Sequence, residues 1–144
     1  MSDTDRRVFT ARMSVLRDAL AFVTGFAAAK NLSERDHLRL QLVVEELFTN
    51  TIMHGYGKEC DEPIGIELRA APCQVTVVYD DAAGAYDPAD TLAASRAQVT
   101  GPLERRPVGH LGVHLVAAIV DDMRHARVDG RNQLQIVMQV AGSK

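Results

Sequence analysis

The chain has 144 residues, 47% hydrophobic and 24% charged, and its 16 Lys and Arg against 19 Asp and Glu leave a net charge of -3. That length suits one domain over residues 1–144, and the apolar content fills one sizeable core, which argues against disorder or a small stapled scaffold. The mild acidity argues against a basic stripe for nucleic acid, two cysteines (Cys60 and Cys73) are too few for a disulfide framework or zinc site, and no apolar run is long enough to span a membrane. The polar stretch from Met1 to Arg7 lacks the pattern of a signal peptide, so a cytoplasmic protein is expected.

In chain order, a short strand is expected over 7–13, where Val8, Thr10 and Arg12 alternate with Phe9 and Ala11. Ser14 can cap a helix whose apolar positions Leu16, Ala19, Leu20, Val23 and Ala27 follow helical spacing, with Asn31 and Leu32 closing it. Ser33 to Asp36 forms a capping-box pattern that opens a second helix over 34–54, stopped by Gly55 and Gly57. Leu40, Val43, Val44 and Leu47 form one stripe of this helix, and Leu38, Leu42 and Ile52 lie roughly opposite. Two apolar sides imply a helix sandwiched between a sheet and the first helix.

The period then changes to two. Ile64, Ile66 and Leu68, then Val75, Val77 and Tyr79, read as a hairpin turned near Ala70-Ala-Pro72. Residues 82–109 are rich in Ala, Gly, Pro and Arg, with a short helix expected over 90–97; so long a connection is usually functional. A third long helix is expected over 111–120. The last element is a second hairpin, 123–128 and 133–140, turned at Asp129-Gly130. The order βααββ(α)αββ predicts an α+β, two-layer sandwich with helices on one face of a mostly antiparallel sheet.

Three places carry residues suited to chemistry. On the second helix, Glu46, Asn50 and His54 recur at i, i+4 and i+8 as a polar line bordering the apolar stripe. A carboxylate and an amide in that register suit a hydroxyl-activating base and an oxygen ligand for Mg²⁺, though a solvated edge gives the same pattern. At the end of the second strand, alternation puts Asp81 on the side of Val75, Val77 and Tyr79, in the gap between sheet and helices. A carboxylate buried there needs donors, which a purine amine supplies; turn-forming acids are the alternative. Before the third helix, Gly109 and Gly112 permit close backbone approach to an anion, with Arg105 and Arg106 upstream. His110 and His114 are spaced like a metal pair, yet no third ligand is near, which suits a lid or surface role better.

Taken in order, these segments resemble the GHKL (Bergerat-fold) ATPases, and among them the stand-alone anti-sigma-factor serine kinases of partner-switching systems, the RsbW and SpoIIAB type. Glu46-Leu-Phe-Thr-Asn50 with His54-Gly-Tyr56 resembles the family's N-box. Asp81 through Asp87-Pro88 resembles the G1 box, with Ala83 where its first glycine falls and Gly84 one place late. Gly109-His-Leu-Gly-Val-His-Leu115 with Val120-Asp-Asp-Met123 resembles the G2 box, and Gly130-Arg-Asn-Gln-Leu134 the final motif. The similarity runs from about residue 8 to 140, and its ordered set is far more specific than any one motif.

The resemblance implies a Bergerat ATP-binding fold that uses ATP and Mg²⁺. It implies Glu46 as the general base, Asn50 as Mg²⁺ ligand, and Asp81 as acceptor of the adenine amine, with Asp80 an alternative. Gly84, Arg105, Gly109, His110, Leu111 and Gly112 would contact the nucleotide, the G2 glycines closing a lid over the phosphates. Asn132 stands where a threonine is common and would take over its hydrogen bond. The activity implied is a protein serine kinase that phosphorylates an anti-anti-sigma (STAS-domain) antagonist and sequesters a sigma factor. A homodimer is expected, without direct contact to nucleic acid or membrane. The alternative is a nucleotide-dependent partner-binding module without kinase activity.

Overall fold

The computed structural model describes residues 3–84 and 120–141. Within them lie strands β1 (Thr4–Thr10), β2 (Pro63–Ala71), β3 (Gln74–Asp81), β4 (Asp122–Val128) and β5 (Arg131–Gln139), and helices α1 (Met13–Ala29) and α2 (Glu34–Asn50). The strands form one antiparallel sheet in the order β1-β2-β3-β5-β4. This is the expected α+β architecture. The helices expected over 90–97 and 111–120 lie outside the described residues, apart from the terminal Val120.

The pleat explains where the core sits. Cross-strand rows Asp5–Leu68–Val77–Ile136–Met123 and Arg7–Ile66–Tyr79–Leu134–His125 face the helices, and their central members are buried. Leu40, Val43, Val44 and Leu47 of α2 and Ala19, Val23 and Phe26 of α1 pack against them. The next row, Phe9–Ile64–Asp81–Asn132–Arg127, changes along its length from apolar to polar. That change puts buried polar groups at one end of the hydrophobic layer.

Several local expectations change. The first strand runs over 4–10 rather than 7–13, and Ser14 does not cap α1. Arg12 occupies the cap position without a side-chain bond, and the Met13 N–H is satisfied instead by the Glu59 carboxylate at 2.8 Å. A capping partner 46 residues away leaves no local pattern to read. The other end is as expected: Asn31, at φ 55, lets Leu32 N–H reach the Ala27 carbonyl at 3.0 Å.

Ser33 does cap α2, accepting from Asp36 N–H at 3.1 Å, but Asp36 does not complete a reciprocal box. Its carboxylate takes Arg39 at 2.8 Å and Ala141 N–H at 2.9 Å, tying α2 to the segment that follows β5. Burial opposes its ionisation, but the bonds from Ala141, Arg39 and Ser33 prevail and hold the carboxyl below its ordinary range. The second apolar side of α2 is only partly covered: Leu38 is 57% exposed. The helix also stops earlier than expected, at Asn50, and passes into a π-helical turn, Thr51–Gly55, closed by Tyr56 N–H to the Thr51 carbonyl at 2.7 Å.

The hairpin between β2 and β3 turns one residue later than expected, through Pro72 and Cys73, whose φ is 61. The β4–β5 turn falls at Asp129-Gly130 as expected, both with positive φ, matching the twist of a tight hairpin. β3, at the centre of the sheet, is buried on both faces. On the outer face, Asp80 pairs with Arg6 at 3.1 Å and with Arg131, and Gly65 leaves room for it: a Cβ there would lie 2.5 Å from an Asp80 carboxylate oxygen.

Candidate functional site

Asp81 is the last residue of β3 and is buried at 1% exposure on the helix-facing side of the sheet. Its Oδ1 accepts from Asn132 Nδ2 at 3.0 Å and from Ala83 N–H at 3.1 Å, and its Oδ2 accepts from Thr51 Oγ1 at 3.1 Å. Three elements meet on this one carboxylate: the end of β3, the start of β5 and the π turn after α2. A buried carboxylate in an otherwise apolar layer needs such donors. Pleat alternation sends its neighbour Asp80 to the opposite face and its two arginines. Of the two candidate aspartates, only Asp81 therefore belongs to this cluster.

The π turn supplies Thr51. Its hydroxyl lies 2.6 Å from the Tyr79 hydroxyl, which in turn reaches the Leu47 carbonyl at 3.0 Å. A chain of hydroxyls thus links α2 to the floor of the sheet beneath Asp81. Tyr56, just past the turn, donates to the Pro63 carbonyl at 2.8 Å and accepts Ala82 N–H at 2.8 Å. Burial pushes its hydroxyl up to about 12, so it stays neutral and fixes the path of the chain leaving β3.

Glu46 and Asn50 lie one helical turn apart on α2, in the register expected, and His54 lies in the π-helical turn beyond the helix. His54 is exposed there. Glu46 is half-buried, and burial followed by repulsion from Glu45 raises its carboxyl above the usual range. Asn50 is buried at 7% exposure, and its Oδ1 has no hydrogen-bond partner among the described residues. An orphaned amide oxygen is an acceptor held ready for a cation or donor, and it fits the hard-oxygen preference of Mg²⁺. Among the described residues no three His, Cys, Asp or Glu side chains converge as a metal cage.

Asn132 is buried on β5, and its Nδ2 also approaches the Ala83 and Gly84 carbonyls at 3.3 and 3.1 Å. Asp81, Gly84 and Asn132 are therefore brought together, with Glu46 and Asn50 on the helix that leads into Thr51. Arg105, Gly109, His110, Leu111 and Gly112 lie outside the described residues. Sequence reasoning missed Thr51, Tyr79 and Arg127. Tyr79 shares its strand face with Asp81 and was legible as a partner; Thr51 needed the π turn, and Arg127 needed the hairpin register.

An antiparallel sheet carrying helices on one face, with this ordered set of elements, is the fold of a GHKL-type ATPase. Residues 9–138 match the histidine kinase-like ATPase domain family, and the chain belongs to that family. Among solved structures it is similar in fold to the RsbU and RsbW domains of Rv1364c from Mycobacterium tuberculosis, with a TM-score of 0.61 and 13% identity. That likeness covers 95% of this chain, which spans 32% of the other. A histidine kinase from Burkholderia phymatum STM815 gives a TM-score of 0.42 at 16% identity, over 96% of this chain and 72% of that one. No curated protein matches the chain. Among the described residues no helix is long and apolar enough to cross a membrane.

Proposed function

We infer that the chain is an ATP-dependent protein serine kinase of the partner-switching kind, acting in the cytoplasm. It phosphorylates a serine on a STAS-domain antagonist and sequesters a sigma factor, its partner choice following the nucleotide state. One observation carries the reading: a carboxyl raised by partial burial, Glu46, stands one turn before Asn50, whose buried oxygen lacks a partner among the described residues. A binding-only module has no use for that carboxylate, whereas a general base works best when its pKa approaches the working pH. Among the described residues β1 lies at the edge of the sheet, with Val8 56% exposed, which suits a homodimer contact.

In this mechanism Glu46 takes the proton from the acceptor serine hydroxyl as its oxygen bonds to the γ-phosphorus of ATP, and the bond from that phosphorus to ADP breaks. Asn50 would hold Mg²⁺ through Oδ1, and the ion would supply charge neutralisation to the phosphates. Asp81 accepts from the adenine amine, and its three internal donors fix where its oxygens point. Gly84 and Asn132 shape the same end of the site, Arg105, His110 and Leu111 contact the nucleotide, and Gly109 and Gly112 close over the phosphates. Phosphoryl transfer asks little more of a protein than such positioning and charge stabilisation.

Incubation with labelled ATP, Mg²⁺ and a STAS-domain protein encoded beside this chain tests the proposal. Label on a serine of that protein is the expected result. ATP binding without any transfer would replace the kinase with a nucleotide-gated binding module.

A further inference from the structure

Arg127 lies on β4 directly opposite Asn132, in the row that holds Asp81. Its Nη1 donates to Asn132 Oδ1 at 2.9 Å and to the Ala83 carbonyl at 3.3 Å, and its Nη2 donates to the Gly130 carbonyl at 3.1 Å. The amide of Asn132 is thus gripped at both ends, by a guanidinium at its oxygen and by acceptors alone at its nitrogen. A flipped amide would face its oxygen to a carboxylate and two carbonyls and its N–H groups to a cation, so only one orientation is tolerated. Both N–H groups then point inward, to Asp81 and to the turn at Ala83 and Gly84.

We propose that Arg127 is a positioning residue for nucleotide-base selectivity, acting through Asn132. With the amide held this way, Asn132 presents no donor to a bound base, and Asp81 remains the acceptor that reads it. An amino-purine offers the N–H this arrangement wants; an oxo-purine presents oxygen to oxygen. Without Arg127, the oxygen of Asn132, a residue only 3% exposed, is left without its guanidinium partner. An orphaned buried acceptor is relieved by rotation of the amide, which turns its N–H groups away from Asp81 and frees a donor that an oxo-purine can use. The proposal rests on the ATP-binding reading above.

The test compares ATP and GTP affinities by titration calorimetry, with Mg²⁺, for the full chain and its Arg127→Met variant. The expected change is an approximately tenfold loss of ATP affinity and at least as large a fall in the preference for ATP over GTP. Exchange of the Asn132 side-chain amide hydrogens, read by NMR in the nucleotide-free chain, should accelerate in the same variant. Arg127→Lys keeps one donor within reach of Oδ1 and should retain the selectivity. The decisive control is Asn132→Thr, whose hydroxyl rotates and needs no guanidinium to orient it: adding Arg127→Met there should leave selectivity unchanged. Equal losses in the two backgrounds would make Arg127 a brace of the hairpin and overturn the proposal. So would unchanged selectivity in Arg127→Met, or, should that variant not fold, in Arg127→Gln. A wild-type chain that binds no ATP would instead overturn the kinase reading, and this one with it.

Discussion

Replacing Glu46 by glutamine separates chemistry from binding and moves stability the opposite way. The amide keeps the side chain's shape but cannot accept the serine proton, so transfer to the STAS-domain protein should fall by about 10²-fold or more, while ATP binding and sigma-factor capture survive. Stability follows from the raised carboxyl. A folded-state pKa above the unfolded value of about 4.3 means that ionising Glu46 opposes folding at neutral pH, through burial first and Glu45 second. Glutamine removes that opposition. Because the group is only half-buried, solvent screening keeps the gain to about 0.5 kcal/mol, or roughly 2 °C in Tm.

The sign fixes the pH window. The gain is absent below about pH 4, where both states carry the protonated acid, and reaches its full size once pH exceeds the raised folded value. Thermal unfolding across pH and a labelled-ATP transfer assay read the two effects separately. Glu45→Gln is the matched control. It points ~100° away from the Asn50 line, so it should keep turnover, yet by removing a negative neighbour it should shift the acid limb of the pH–rate profile downward. Full transfer by the Glu46 variant, or loss of transfer in the Glu45 variant alone, would refute the assignment of the base.

Asn50→Ala removes a buried oxygen that has no partner among the described residues, so the nucleotide-free chain should keep its stability to within about 1 kcal/mol. The same variant should lose most of the Mg²⁺-dependent part of the Tm rise given by ATP, and a full Mg²⁺-dependent shift would disprove the metal role. Thr51→Val deprives Asp81 and Tyr79 of a hydroxyl partner and should cost about 1–3 kcal/mol in denaturant unfolding, with weaker ATP binding. Asp36, held below its ordinary range, contributes stability that is complete above the unfolded value of about 3.9 and is lost as pH falls through its lower folded value. Asp36→Asn should therefore lower Tm at pH 7 and converge with the wild type in acid.

Most of the fold was legible because periodicity and turn chemistry are local. The alternation of 64–68 and 75–79, the Asn31 stop and the Asp129-Gly130 turn each depend on neighbours a few residues away. What failed was set at long range. Glu59 caps α1 from 46 residues downstream, Asp36 prefers Ala141 to its own cap, and the outer face of β3 is covered by arginines from β1 and β5. No window of sequence contains those pairs.

The same division runs through the site. Glu46 and Asn50 were legible because an unbroken helix puts i and i+4 on one face, and Asp81 because a strand alternates. The helical rule was extended one turn too far at His54, which lies in the π-helical turn. The π turn after Asn50 holds His54, and its first residue, Thr51, bonds to Asp81. A regular helix through 54 keeps the polar line of Glu46, Asn50 and His54. In this chain the α-helix stops at Asn50, and the π turn ties the helix bearing Glu46 and Asn50 to the strand end bearing Asp81. The irregularity that defeated the periodic reading is thus where the two halves of the site are joined.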